Sequence, residues 1–111
     1  MKLNELANAC GFKFITQPED EREVKGAYCC DLLSWVIGRA EATDALVTVM
    51  ANQNVIAVAV MADLPCVILS ESVRMDENTL EKAKENDIPV LSSPFSTYET
   101  ALRIGNVLKN N

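Results

Sequence analysis

Eight consecutive apolar residues, Val55 to Ala62, constrain this chain more than any other segment. The run is far too short to cross a membrane, so it must be buried inside protein. Its valines and isoleucine favour a strand. However, Asn54 stands before it as a helix cap, and the next run, Cys66 to Ser70, is the better strand, with Pro65 between the two. The expectation is therefore a helix over Val55 to Leu64 that is apolar on nearly every side. Such a helix has to be covered twice. The sheet supplies one cover, and in a chain of 111 residues a second copy of the protein is the expected other. Val55, Ile56, Val58, Ala59 and Met61 are the expected interface residues of a homodimer.

The surrounding punctuation places this helix in an alternating pattern. Leu3, Leu6, Ala7 and Cys10 recur at helical spacing, and Gly11 stops them. Phe12 to Thr16 and Glu23 to Cys29 read as strands. Gly26 inside the second marks a bulge or a close backbone approach. Asp31 is placed to cap a helix over Leu32 to Ala40, and Ala45 to Met50 reads as a strand. Asp76 caps a charged helix ending near Asn86, with Met75 stapled onto Leu80. Ile88 to Ser92 is the next strand. Ser96 and Glu99 then form a capping box for a last helix, whose expected inner face is Tyr98, Ala101, Leu102, Gly105 and Leu108. From Ala45 onward strands and helices alternate with short linkers, which predicts right-handed crossovers and a parallel sheet. The expected fold class is α/β: one three-layer domain over residues 1–111, with a mostly parallel central sheet flanked by helices. A chain of this mass buries about two thirds of its extended surface, enough for one core. No repeat or interdomain linker is visible.

Composition narrows the chemistry. Ten basic against sixteen acidic residues leave a net charge of −6, which disfavours nucleic acid and acidic membrane surfaces as partners. The absence of histidine removes Ser-His and Cys-His nucleophile pairs and His-ligated metals. The four glycines form no G-x-G-x-x-G or Walker loop. No cofactor and no metal is expected. Cys10, Cys29, Cys30 and Cys66 form no C-x-x-C pair. They read as buried free thiols of a cytoplasmic protein, the alternative being a redox role for Cys29-Cys30. The first residues lack the apolar core of a signal peptide.

In a parallel sheet, ligands favour the crevice beyond the carboxyl ends of the strands. Asn52, Gln53 and Asn54 follow one strand, Ser70 and Ser72 the next, and Ser92, Ser93, Ser96 and Thr97 the last. These nine are the candidate ligand-binding residues, for a small anion or a nucleotide-like molecule at free helix amides. The competing reading is that Asn and Ser stand there because they cap helices. Arg74 is the nearest strong cation, with surface charge as its other reading. Asp31 as a general base competes with Asp31 as a cap. Trp35 and Tyr28 fit either an interface or the core.

Asn54 to Ala59, Cys66 to Ser70, and Ile88-Pro89-Val90-Leu91-Ser92-Ser93-Pro94-Phe95-Ser96-Thr97-Tyr98-Glu99-Thr100-Ala101 together resemble the DRTGG domain family. The earlier piece Gly26 to Val36 is similar to its stand-alone members. The resemblance implies an α/β domain similar to the N-terminal domain of HPr kinase/phosphorylase, of the kind that accompanies CBS domains. It also implies a regulatory rather than a catalytic role, and without a Walker loop the chain is not itself an HPr kinase. The naming Asp-Arg should fall near Ala51 to Asn54, where all residues are neutral. The Thr-Gly-Gly should fall near Ser70-Glu71-Ser72, where no glycine stands. The expected function is a non-enzymatic regulatory domain, a homodimer binding a small ligand or a partner protein. The alternatives are an adaptor subunit of a larger enzyme or redox complex, and a small cysteine- or carboxylate-dependent enzyme.

Overall fold

The computed structural model describes residues 1–110; the last residue of the expected 1–111 domain lies outside them. The elements are α1 (Leu3–Cys10), β1 (Lys13–Thr16), β2 (Gly26–Cys29), α2 (Leu33–Arg39), β3 (Asp44–Thr48), α3 (Gln53–Met61), β4 (Val67–Leu69), α4 (Glu77–Glu85), β5 (Val90–Ser92) and α5 (Thr97–Lys109). Five strands form one sheet in the order β1-β5-β4-β3-β2. β2 through β5 pair in parallel, and β1 closes the β5 edge antiparallel. The α/β, mostly parallel class holds.

Consecutive parallel strands are neighbours, so every crossover steps the same way. Right-handed crossovers of one direction put their helices on one face. Accordingly, residues of α2, α3 and α4 share a core cluster with Leu46, Val67, Leu69 and Val90. The opposite face is covered by α1 and α5, packed over Ala45, Val47, Ile68 and Leu91. β3 and β4 are thus buried on both faces, and their side chains read as continuous apolar runs rather than an alternation.

This winding corrects the expected dimer surface. α3 is the middle helix of three and packs against both α2 and α4. Val55, Ile56, Val58 and Ala59 are buried within the chain's own core. The second cover comes mostly from neighbouring helices, and the apolar α3 residues left outside are Ala57, Val60 (46% exposed) and Met61 (68% exposed).

Local capping departs from expectation at two places. α3 is capped by Asn52, whose side chain accepts from the Asn54 amide at 3.0 Å, so Asn54 lies inside the helix. Asp31 caps nothing; the N-cap of α2 is Leu32. The Asp31 carboxylate instead accepts from the Thr48 hydroxyl at 2.7 Å and the Val49 amide at 3.0 Å, tying the end of β2 to the end of β3. Asp76 and Ser96 cap α4 and α5 as expected. The inner face of α5 is shifted, with Thr100 and Ile104 buried, while Tyr98 is 76% exposed and Leu102 is also exposed. Thr100 turns inward because its hydroxyl pairs with that of the buried Ser93 at 2.7 Å, which a purely apolar periodicity does not register.

Gly26 marks neither a bulge nor a close backbone approach: its pairing with Asp44 is in regular register, and a Cβ there would instead meet the Asp44 side chain, at Oδ1, at 2.6 Å. β1 carries a bulge, since Phe14 faces Leu91 and Thr16 faces Val90, leaving Ile15 as the extra residue. The Thr16 hydroxyl repairs the ladder by donating to the Ile88 carbonyl at 2.9 Å and accepting from the Val90 amide at 2.8 Å. Thr16→Val keeps the shape but strands two buried backbone groups. We expect it to cost about 2 kcal/mol in urea unfolding; a loss within error would show that the hydroxyl is dispensable.

Candidate functional site

The four parallel strands end along one edge of the sheet, and polar groups mark it from β2 to β5. Asp31 follows β2, Thr48 ends β3, Ser70 follows β4, and Ser93 follows β5. Thr48, Ser70 and Ser93 are fully buried. Beyond β4 the chain leaves for α4 on one face, and beyond β5 it leaves for α5 on the other. The two loops therefore diverge, and a crevice between the ends of adjacent strands is the expected result.

The chain fills much of that crevice itself. Ser70 Oγ and Thr97 Oγ1 lie 2.6 Å apart. The Glu71 amide donates to the Phe95 carbonyl at 2.8 Å, and the Ser72 amide to the Ser93 carbonyl at 3.0 Å. The amide of Thr97 donates to Glu71 Oε2 at 3.3 Å, and that of Glu99 to Ser96 Oγ at 3.1 Å. The α5 N-terminus, where an external anion was expected, thus already faces a carboxylate of its own chain. Among the described residues no buried side-chain polar atom lacks a partner.

The nine candidate residues fall into three groups. Ser70, Ser93, Ser96 and Thr97 belong to this interlocked set, which serves capping and closure. Ser72 and Ser92 instead line an open groove of about 540 Å³ with Lys13, Phe14, Ile15, Val73, Arg74 and Met75. Asn52, Gln53 and Asn54 stand at the start of α3. Gln53 and Asn54 face a second groove, of about 420 Å³, whose wall includes Val60, Met61, Lys82 and Asn86. The structure does not gather the nine into one pocket.

Glu71, Lys13 and the Asp31–Thr48 pair were not among the candidates. Lys13 was hidden because it lies far away in sequence, on the antiparallel edge strand, where it pairs in register with Ser92. Glu71 carried one readable signal. It and Ser72 have φ of 61° and 57°, a left-handed conformation that favours glycine, at the two positions where the resemblance puts Gly-Gly. The backbone shape that glycines would select is present here without them, held by the two amide bonds to the β5–α5 loop.

Nothing at this edge is arranged for nucleophilic chemistry. Cys10 and Cys66 are buried, Cys29 is exposed and Cys30 is half-buried, and all four are free; the expectation of buried thiols holds for the first two only. Burial pushes the Cys66 thiol up to about 12. Although Cys29 is exposed as a residue, partial desolvation raises its thiol pKa, and the nearby Asp31 carboxylate and Cys30 raise it further, whereas a reactive thiol needs the opposite. Among the described residues no three carboxylates and thiols converge on a metal site. We expect Cys29 to react slowly with iodoacetamide at neutral pH. Asp31→Asn, which keeps an oxygen for Thr48, should lower the thiol's pKa and speed labelling several-fold. Rapid labelling of the wild type would contradict the raised thiol.

The model of one protein family, the DRTGG domain, matches residues 5–107. No curated protein matches the chain. Among solved structures, it is similar to the crystal structure of the CBS and DRTGG domains of the regulatory region of Clostridium perfringens pyrophosphatase, complexed with the activator diadenosine tetraphosphate. The TM-score is 0.71 at 14% identity, over 92% of this chain and 45% of that one. This chain therefore spans less than half the length of that neighbour, and the likeness is one of fold. The family match over nearly the whole length agrees with the one-way parallel winding and the paired β4 and β5 loops: the chain belongs to the DRTGG domain family.

Proposed function

We propose that residues 1–111 act as a regulatory module that senses a small anionic, nucleotide-like ligand at the carboxyl edge of its sheet and works as a homodimer. The observation that carries this reading is the family membership combined with a strand edge built from capped helices and paired hydroxyls rather than from an activated nucleophile. The pyrophosphatase neighbour supports it, since there a DRTGG domain forms part of a regulatory region that was crystallised with a nucleotide activator. A ligand signals only if it binds one arrangement of the dimer better than another.

The dimer contact belongs on the outer side of α3, at Ala57, Val60 and Met61. No residue from Gln53 to Met61 carries charge, so two copies of a chain at −6 meet there without like-charge repulsion. An isologous contact of this kind is self-complementary. We expect the protein to sediment as a dimer at micromolar concentration. Met61→Lys, a cation placed favourably at a helix C-terminus, should give a folded monomer. A wild-type monomer would remove the dimer from the proposal.

Ligand sensing is tested by a thermal-shift screen with nucleotides, diadenosine tetraphosphate, acyl phosphates and common anions. A ligand at a hundred times its Kd adds about 2.7 kcal/mol, a rise of order 10 °C for a domain of this size. No rise with any compound at millimolar dose rejects ligand sensing. The adaptor reading rests on a different observation, the exposed Leu32 and Trp35 on α2. Trp35 is stacked under the Arg39 guanidinium at 4.0 Å, an aromatic-arginine pair of the type that anchors protein interfaces.

A further inference from the structure

The groove beside β1 is a part of the strand edge that the chain leaves open. Its two sides are β1 and the loop from Ser72 to Met75, and Ser92 also lines it. Lys13 and Arg74 stand on opposite sides. Neither pairs with a carboxylate among the described residues, which is also true of Lys25, Arg39 and Lys109; what sets Lys13 and Arg74 apart is that they line one groove. No Asp or Glu lines the groove, although the chain has sixteen. The acids nearest to the loop in sequence are engaged elsewhere: Glu71 accepts from the Thr97 amide, and Asp76 from the Thr79 amide at 2.8 Å. The Ser72 and Ser92 side chains are exposed and half-buried respectively.

The rest of the wall is apolar. Ile15, the extra residue of the bulge, is 39% exposed there, with Phe14, Val73 and Met75. The loop is held in place before anything binds. Glu71 and Ser72 donate to the β5–α5 loop, and the Val73 amide donates to the Ser70 carbonyl at 3.1 Å. Such preorganisation reduces the ordering cost of binding. A volume of about 540 Å³ falls within the usual range for small-molecule sites.

Resting on the ligand-sensing reading above, we propose that this groove binds a small molecule that joins a phosphate group to an apolar or aromatic body, a mononucleotide being the simplest. Arg74 and Lys13 hold the phosphate through charge-assisted hydrogen bonds. Ser72 and Ser92 add hydroxyls, and Ile15 and Val73 supply the surface for the ring, backed by the buried Met75.

The test is calorimetric titration of the full chain with AMP, ATP, adenosine and inorganic phosphate, paired with amide NMR spectra. AMP or ATP should bind, adenosine and phosphate alone should bind at least about tenfold more weakly, and the amides of Lys13 to Ile15, Ser72 to Met75 and Ser92 should shift. Lys13→Gln with Arg74→Gln should weaken nucleotide binding by about tenfold or more, while Lys82→Gln, in the α3–α4 groove, should leave it unchanged. Equal binding of phosphate alone reduces the site to an anion site and overturns the joined-body ligand. Nucleotide binding that survives the double variant, or that Lys82→Gln abolishes, overturns this site yet leaves ligand sensing standing. No binding by any of the four probes also overturns it, and the wider screen then decides ligand sensing separately.

Discussion

Burial of β3 and β4 on both faces is the constraint on which the remaining structure depends. Leu46, Val47, Val67, Ile68 and Leu69 are all fully buried, and each such side chain is worth about 1.5–3 kcal/mol relative to exposure. A strand pair apolar on both sides needs helices above and below. Three consecutive crossovers supply one layer, so the other must come from the two ends of the chain, and α1 and α5 provide it. The antiparallel β1 follows, since the chain returns from α1 along the β5 edge.

The functional geometry is a by-product of that arrangement. Because α4 and α5 depart to opposite faces, the loops after β4 and β5 separate at the sheet edge. Separation alone does not leave a cavity. Between these strands the chain knits the loops together with hydroxyl pairs and the Glu71 carboxylate, and beside β1 it does not. The same Glu71 that occupies the α5 N-terminus also carries its backbone through the left-handed turn that sends Arg74 toward β1. Residues 71–75 thus contribute both to the closed contact at α5 and to the wall of the groove beside β1, and two positive-φ residues there put roughly 1 kcal/mol each into a loop shape held by bonds to the β5–α5 loop.

Much of this was readable in the residues. The ambiguous apolar run is a helix, as the cap-like asparagines and the better strand after Pro65 implied; Asp76 starts its helix as the expected cap, and Ser96 starts its helix where the box pattern placed it. The mistaken readings share one origin. Asp31 looked like a cap from its local position, but its carboxylate is claimed by Thr48, seventeen residues away. The inner face of the last helix was read from its apolar residues, but Ser93 draws Thr100 in and Tyr98 stays outside. The nine candidate residues were grouped by their place after strands, and partner choice among hydroxyls at 2.6–2.7 Å divided them.

By itself the sequence determined the element types, the parallel α/β class and the family, because periodicity, capping and chain order are local properties written over a few turns. Only the tertiary structure decided which residues meet. Whether α3 is an outer or a middle helix depends on the direction of winding, which no window of residues encodes. Whether Lys13 belongs with Arg74 depends on an antiparallel edge strand closing beside β5. Long-range placement set the exposed face of α3 and the open groove beside β1, since burial is a property of the assembled layers and not of any single segment.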